Sequence, residues 1–150
     1  MKTGQACIRS VVCIEAEASI REAARLMREH HVGDLVILGS GRDHQRPMGI
    51  ITDRDLTVEV IAMDVDMDSV SAGDLFASPK LITASVDDEL EETLEMMCRH
   101  GIRRVPVVEN NGRLAGILAL DDVVELLAEQ LSMVVGVITR QPGVEARRRA

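Results

Sequence analysis

The sequence predicts a mixed α/β (α+β) fold made of two pseudo-symmetric βαββα halves packed sheet to sheet. Residues 12–38 align with residues 82–108 at an offset of 70, with apolar positions and a Glu, a Met and a His in register. After a loop that is three residues shorter in the second half, residues 49–56 align with 116–123 at an offset of 67. A half of roughly 45 residues buries too little core to be stable alone, so the two halves are expected to pack together.

The first half begins with a helix opened by Ser19-x-x-Glu22, a capping-box pattern followed by apolar residues at helical spacing. Short apolar runs at 35–38 and 48–51 predict buried strands. Thr52-x-x-Asp55 then predicts a helix to about Ala62.

The second half repeats this order with weaker signals. Asp88-x-x-Glu91 resembles a capping box, 105–108 and 114–118 predict strands, and Asp121 opens a helix to about Leu131. The expected boundaries are a first repeat over 8–62, a linker over 63–80 with a short helix at 74–76, a second repeat over 81–131 and a tail over 132–150. Within the tail, 134–138 is expected to add a strand or to dock on a partner, and the arginines at 147–149 form a mobile charge cluster.

Composition narrows the function. Of 150 residues, 46% are apolar and 28% are charged, as in a globular chain, but Phe76 is the one aromatic residue. An aromatic platform for stacking single-stranded nucleic acid is therefore missing, and a net charge of −8 opposes binding to a phosphate backbone. No run of about 18 apolar residues is present, so neither nucleic acid nor a membrane is an expected partner.

The thiols and histidines indicate neither a disulfide framework nor a metal site. The three cysteines (Cys7, Cys13, Cys98) are odd in number and lack a CxxC spacing, which predicts reduced thiols in the cytoplasm. The four histidines do not fall at ligand spacing with these thiols. No Ser/His/Asp set, paired acid–base carboxylates or P-loop is recognisable, so we expect no catalytic residues and no enzyme.

A candidate ligand site lies at the start of the helix that follows Gly49-Ile50-Ile51. Unpaired amide N–H groups at a helix N-terminus attract anions, and Thr52 can add its hydroxyl. Asp55 can accept from two neighbouring hydroxyls, as a ribose diol offers. The alternative is that Thr-x-x-Asp serves only as a helix cap.

Basic and apolar side chains complete this candidate site. Arg54, Arg103 and Arg104 could neutralise phosphate, with Lys80 as a weaker candidate, although solvated edge charges are the alternative. A flat apolar part of a ligand would have to lie against aliphatic side chains such as Val32, Ile102 and Pro106.

The motifs HGIRRVPVV (100–108) and GILALDDV (116–123), with HHVGDLVIL (30–38) and GIITDRDL (49–56), resemble a tandem cystathionine-β-synthase (CBS) domain pair, or Bateman module. The resemblance covers about 8–131 and is to the short, stand-alone bacterial type. It implies a regulatory module without catalysis or a required cofactor. Family members bind adenosine-containing ligands (AMP, ADP, ATP, S-adenosylmethionine or NAD) in clefts between the repeats.

The resemblance also implies roles for individual residues. In the family motif the Thr meets phosphate and the last Asp meets the ribose hydroxyls, while a Thr on the first strand of the other repeat joins the site. Carried over by position, these are Thr52, Asp55 and Thr83. The second cleft keeps Asp122 but has Ala119 and Cys13 at the two Thr positions. We therefore expect one functional cleft and one degenerate cleft.

The last helix predicts self-association. Its apolar stripe over 121–131 is wider than one packing face needs, which favours a homodimer, and the resemblance implies dimerisation through such helices. Three functional hypotheses remain: an adenine-nucleotide sensor read by an unknown effector protein, a ligand-free dimeric scaffold with a decayed site, and a nucleic-acid regulator using the arginine tail.

Overall fold

A computed structural model describes residues 1–150 and shows the βαββα order twice. The first half contains α1 (Thr3–Ala6), β1 (Cys13–Glu15), α2 (Ile20–His30), β2 (Asp34–Leu38), a 3₁₀ turn (Gly41–Asp43), β3 (Pro47–Thr52) and α3 (Asp53–Asp55), which continues with π-helical hydrogen bonds over Leu56–Ile61. The second half contains α4 (Ala72–Phe76), β4 (Ala84–Ser85), α5 (Leu90–His100), β5 (Arg104–Val108), β6 (Leu114–Ala119) and α6 (Leu120–Arg149).

The strands form two three-stranded sheets with the same topology, in the orders β1-β2-β3 and β4-β5-β6. The middle strand of each sheet pairs in parallel with the first strand and antiparallel with the third. Val36 lies opposite Ile50 in one sheet, and Pro106 lies opposite Ile117 in the other. The predicted fold class is thus confirmed.

Each half has its own aliphatic core of seven buried residues. Equivalent positions supply both cores: Met27 and Met97 from the helices, Leu35 and Val105 from the middle strands. The alignment of the two halves is therefore reproduced in three dimensions.

The N-terminal segment completes the second half rather than the first. Ile8 and Ile117 exchange two backbone hydrogen bonds of 2.9 Å, and the Gly4 amide donates to the Val86 carbonyl at 3.1 Å. The Thr3 hydroxyl lies 2.7 Å from the Thr93 hydroxyl in a fully buried pair. The start of the chain is therefore anchored more than 80 residues away in sequence.

Helix α4 completes the first half in the same manner. The Ala72 amide donates to the Ala18 carbonyl at 2.7 Å, and the Gly73 amide donates to the Ala16 carbonyl at 2.8 Å. Ala72 is fully buried in the first core. Each half is thus finished by the segment that precedes the other half, an exchange that the sequence did not predict.

Of the two predicted caps, at Ser19 before α2 and at Asp88 before α5, the structure shows only the first. The Ser19 hydroxyl accepts from the Glu22 amide at 3.1 Å, as expected of a cap. The expectation for Asp88 is wrong, because α5 follows Glu89 without a side-chain cap. Asp88 instead accepts a hydrogen bond from the Ser85 amide at 2.8 Å. The Leu90 amide donates to the Met1 carbonyl at 2.9 Å.

Helix α6 does not end near Leu131 as predicted but continues to Arg149, and 134–138 is helical rather than a strand. The sequence offers no Gly until Gly136 and no Pro until Pro142, so nothing stops the helix at Leu131. Val123 is buried against the second core, whereas from Leu131 onward every residue except Gly136 is exposed. None of the helices combines the length and apolar character needed to cross a membrane.

Candidate functional site

A cleft of about 820 Å³ lies where the two halves meet. The first half contributes the end of β3 and the start of α3, and the second half contributes the turn into β5 and the start of α6. The segment between the halves forms the remaining wall. The lining residues lie at positions 49, 50, 52–55, 76, 78, 80–82, 101–104 and 121.

The start of α3 presents a reciprocal cap to this cleft. The Thr52 hydroxyl accepts from the Asp55 amide at 3.1 Å, and Asp55 Oδ2 accepts from the Thr52 amide at 2.8 Å. Thr52 and Asp55 therefore do cap the helix, but the cap uses only one of the two carboxylate oxygens of Asp55. Asp55 Oδ1 accepts no hydrogen bond from the protein, so it remains available to a ligand.

Four basic side chains line the cleft, and two of them are already paired. Arg103 Nη2 lies 3.0 Å from Asp121 Oδ1, with both side chains exposed. Arg104 forms an ion pair with Asp34. Arg54 and Lys80 have no acidic side chain within ion-pair distance, so the cleft keeps two uncommitted positive charges in a chain of net charge −8.

The Asp34–Arg104 pair lies at the junction of the two halves. Burial raises the pKa of Asp34, and this effect outweighs Arg104, which lowers it. Asp122 and Asp53 also raise the pKa of Asp34, so both lie close enough to repel its carboxylate. Arg104 thus offsets part of the negative charge at this junction.

The structure brings together most of the residues singled out from the sequence. Thr52, Arg54, Asp55, Arg103 and Arg104 all line the one cleft.

The two remaining candidates lie elsewhere. Thr83 lies just before β4 and lines an adjoining pocket of about 420 Å³, which shares Ser78 and Leu81 with the cleft. Asp122 does not line the cleft and lies on the side of Asp34 instead.

The apolar wall differs from the expected one. Ile102 lines the cleft, but Pro106 is fully buried and Val32 packs against the first core. Phe76, the single aromatic residue, lines the cleft from the end of α4. As the single aromatic residue of the sequence, Phe76 could have been noticed as a candidate. Its position in the cleft depends on the packing of α4 against the first half, which the sequence did not predict.

The alignment of the two repeats shows which residues in the other repeat correspond to the basic cleft residues and to Thr52. At offsets of 70 and 67 residues, none of the four basic side chains has a basic counterpart. The replacements are Ser10 for Lys80, Gly33 for Arg103, Asp34 for Arg104, Asp121 for Arg54 and Ala119 for Thr52. This set has no positive charge with which to hold a phosphate.

Two copies of one βαββα unit, with a partly basic cleft at their junction, define a tandem-repeat module. The family model described as CBS domain matches residues 4–62 and 72–129, and the chain therefore belongs to the CBS domain family.

Curated relatives cover most of the chain. Hypoxic response protein 1 of Mycobacterium tuberculosis is 34% identical over 119 residues, which are 79% of this chain and 80% of the relative. The uncharacterized protein MK0525 of Methanopyrus kandleri is 35% identical over 126 residues, or 84% of this chain, and the match spans 62% of its own length.

Among solved structures, the CBS domain protein PAE2072 from Pyrobaculum aerophilum, complexed with AMP, has a TM-score of 0.72 and 31% identity. The match covers 81% of this chain and 89% of that chain.

Proposed function

We propose that this chain is a regulatory module that binds an adenine nucleotide of the AMP, ADP or ATP type and signals through a conformational change. The supporting observation is the clustering of Thr52, Asp55 and four basic side chains in one cleft of an acidic chain. The AMP complex of PAE2072 supports the ligand class. S-adenosylmethionine and NAD contain the same adenosine group and are the other candidates.

The cleft provides a different surface for each part of such a ligand. Phosphate would lie near Arg54 and Lys80, where the positive charge is uncommitted. The free Oδ1 of Asp55 would accept from the ribose hydroxyls, because a carboxylate repels phosphate. Adenine would pack on Phe76 and Ile102.

Regulation would act through the paired arginines. A phosphate that attracts Arg103 or Arg104 competes with Asp121 or Asp34 for the same guanidinium. Because Asp34 and Arg104 belong to different halves, release of this pair would change how the halves are held. The ligand shifts this equilibrium only through its differential affinity for the two states.

Titration calorimetry tests the proposal, since the chain has no Trp or Tyr for fluorescence. AMP, ADP, ATP, S-adenosylmethionine and NAD are titrated into the wild type and into Asp55→Asn, which keeps a capping oxygen but removes the charge. We expect one site per chain and at least about tenfold weaker binding in the variant, since hydrogen bonds to charged groups are worth about 1.5–3 kcal/mol.

Asp88→Asn is the matched control, because Asp88 accepts from the Ser85 amide at the same 2.8 Å and spacing as Asp55 from Thr52. It lies outside the cleft and should bind like the wild type. Two ligands per chain would contradict the single-site proposal.

The second candidate function is a ligand-free dimeric scaffold in the cytoplasm. It is favoured by the pairing of Arg103 and Arg104 with carboxylates, which leaves half of the basic side chains committed. A folded dimer that gives no heat with any of the five ligands would contradict the sensor and favour the scaffold. In either case the proposed assembly is a homodimer that acts on an effector protein.

A further inference from the structure

Arg104 belongs to two environments at once. Its side chain lines the cleft, and its guanidinium forms an ion pair with Asp34, which does not line the cleft. Asp34 is the first residue of β2 and lies opposite Thr52, the residue that caps α3 and lines the cleft. Arg104 is therefore placed between the cleft and the Asp34 carboxylate.

Asp34 lies in surroundings that disfavour its charged form. Only 21% of its side chain is exposed, so most of the side chain is removed from water. Two carboxylates act on it, Asp53 on α3 and Asp122 on α6. A Cβ added to Gly33 would lie 3.2 Å from Asp53 Oδ2, so the Asp53 carboxylate lies against the residue next to Asp34. Burial and these two carboxylates raise the pKa of Asp34, whereas Arg104 lowers it.

An anionic ligand in the cleft changes this balance in two ways. A phosphate group that attracts Arg104 takes part of the guanidinium charge away from Asp34. The phosphate also brings negative charge close to the Asp34 carboxylate, because Arg104 lines the same cleft. Both effects favour the neutral form of Asp34.

We infer that an anionic nucleotide in the cleft binds together with a proton, which Asp34 takes up from solvent as a phosphate engages Arg104. The inference rests on the proposed function and names a regulation of that site. By linkage, the proton strengthens nucleotide binding by the same factor by which the nucleotide strengthens proton binding. ADP and ATP should couple more strongly than AMP, whose one phosphate is proposed to lie near Arg54 and Lys80.

The direction of the pH dependence follows from the charge of Asp34. Below the pKa that Asp34 has in the free protein, its carboxyl group is neutral and Arg104 is available to the ligand. As the pH rises through the pKa that Asp34 has in the complex, the carboxylate ionises and competes with the phosphate for Arg104. The affinity for ADP should therefore fall as the pH rises across this interval.

Titration calorimetry with ADP measures the coupled proton. ADP is titrated into the wild type and into Asp34→Asn, in two buffers that differ in ionisation enthalpy and at several mildly acidic and neutral pH values. The slope of the observed heat against the buffer enthalpy gives the number of protons bound. The phosphate of ADP itself titrates at about pH 6, so the difference between the two proteins reports Asp34.

We expect the wild type to take up more protons than Asp34→Asn, by up to one per ADP. At neutral pH Asp34→Asn should bind ADP at least about fivefold more tightly, because its Arg104 has no competing carboxylate, and the two affinities should converge as the pH falls. Asp43→Asn, at an exposed carboxylate outside the cleft, is the control and should follow the wild type. Adenosine, which carries no phosphate, should show equal proton uptake in the wild type and Asp34→Asn.

The contrary outcomes are distinguishable from one another. A wild type that binds no adenosine-containing ligand would contradict the proposed function and this inference together. ADP binding with equal proton uptake in the wild type and Asp34→Asn would retain the proposed function and overturn the coupling. Weaker binding by Asp34→Asn at every pH would also overturn it, since Asp34 would then assist the ligand rather than compete with it.

Carboxyl-carbon NMR of the wild type makes the test independent of how the variant folds. The Asp34 signal is followed against pH with and without saturating ADP. We expect ADP to raise the titration midpoint by at least about 0.7 pH unit, which corresponds to the fivefold coupling. A midpoint that ADP leaves unchanged or lowers would overturn the inference.

Discussion

Asp34 and Arg104 occupy equivalent positions, the first residues of β2 and β5, and they form an ion pair with each other. One repeat thus bears an acid where the other bears a base, and the pair joins the halves across their pseudo-twofold relationship. Identical repeats could not form this contact, because two acids or two bases would face each other. Divergence at this one position therefore places opposite charges at the junction and also positions Arg104 in the cleft.

Replacing Asp34 by Asn should change how stability depends on pH. The folded-state pKa of Asp34 is raised above its ordinary value of 3.8, so the folded state binds this proton more tightly than the unfolded state. The stability contributed by that proton is present below pH 3.8 and is lost as the pH rises through the folded-state pKa. The free energy of unfolding of the wild type relative to Asp34→Asn should therefore fall as the pH rises from about 4 through the folded-state pKa.

Urea unfolding followed by circular dichroism at several pH values measures this difference. Asp43→Asn, at an exposed carboxylate in the 3₁₀ turn, serves as the control. A difference between wild type and Asp34→Asn that stays constant over the range would contradict the prediction.

Replacing Thr93 by Val should destabilise the protein through its partner. The Thr93 and Thr3 hydroxyls bond each other at 2.7 Å in a fully buried site, so the variant leaves the Thr3 hydroxyl without a partner. We expect a loss of about 1–3 kcal/mol in the free energy of unfolding. The double variant Thr3→Val/Thr93→Val should recover much of that loss, whereas strictly additive effects would show that the two hydroxyls are independent.

Replacing Gly49 or Gly116 by Ala should destabilise the protein. Gly49 lies against the end of α4, and Gly116 lies against the N-terminal segment. A Cβ at Gly116 would lie 2.6 Å from the Ile8 carbonyl oxygen, and one at Gly49 would collide with the Phe76 carbonyl oxygen. Since backbone atoms cannot move aside cheaply, we expect losses of about 1–3 kcal/mol or more in urea unfolding. Gly143→Ala, where a Cβ meets nothing within 4 Å, should be neutral or stabilising; an equal loss there would refute the steric explanation.

Replacing Asp121 by Asn should strengthen binding of anionic ligands. The substitution frees Arg103 from its 3.0 Å pair, and an exposed pair of this kind is worth about 0.2–1 kcal/mol. Calorimetry should show affinity for ADP and ATP rising by up to about fivefold, with a smaller gain for AMP. Weaker binding of all three would show that Asp121 itself holds the ligand.

The regular elements could be predicted because each depends on local sequence. The cap at Ser19 and the apolar runs of the middle strands lie within a few residues of the structure they specify. The N-terminal segment could not be predicted, since α1 has only four residues and its partners lie near Val86 and Ile117. The end of α6 was placed too early because an exposed helix carries no core pattern to mark its extent.

The candidate site was predicted as a set of residues but not as a set of contacts. Motif positions brought Thr52 and Asp55 to the cleft together with the arginines. The pairing of Arg103 with Asp121 joins residues 18 apart, and that of Arg104 with Asp34 joins the two halves. Such pairings depend on the tertiary structure and have no signal in the sequence. The sequence therefore could not show that Arg54 and Lys80 are the unpaired cations of the cleft.

The exchange of α1 and α4 has a consequence for synthesis on the ribosome. When the first eight residues emerge, the strand that Ile8 bonds has not been made, because Ile117 lies more than a hundred residues later. The first half can close earlier, since it needs only α4. Ile8 must therefore stay unpaired until β6 has been made, whereas Thr3 and Gly4 can meet Thr93 and Val86 earlier in synthesis.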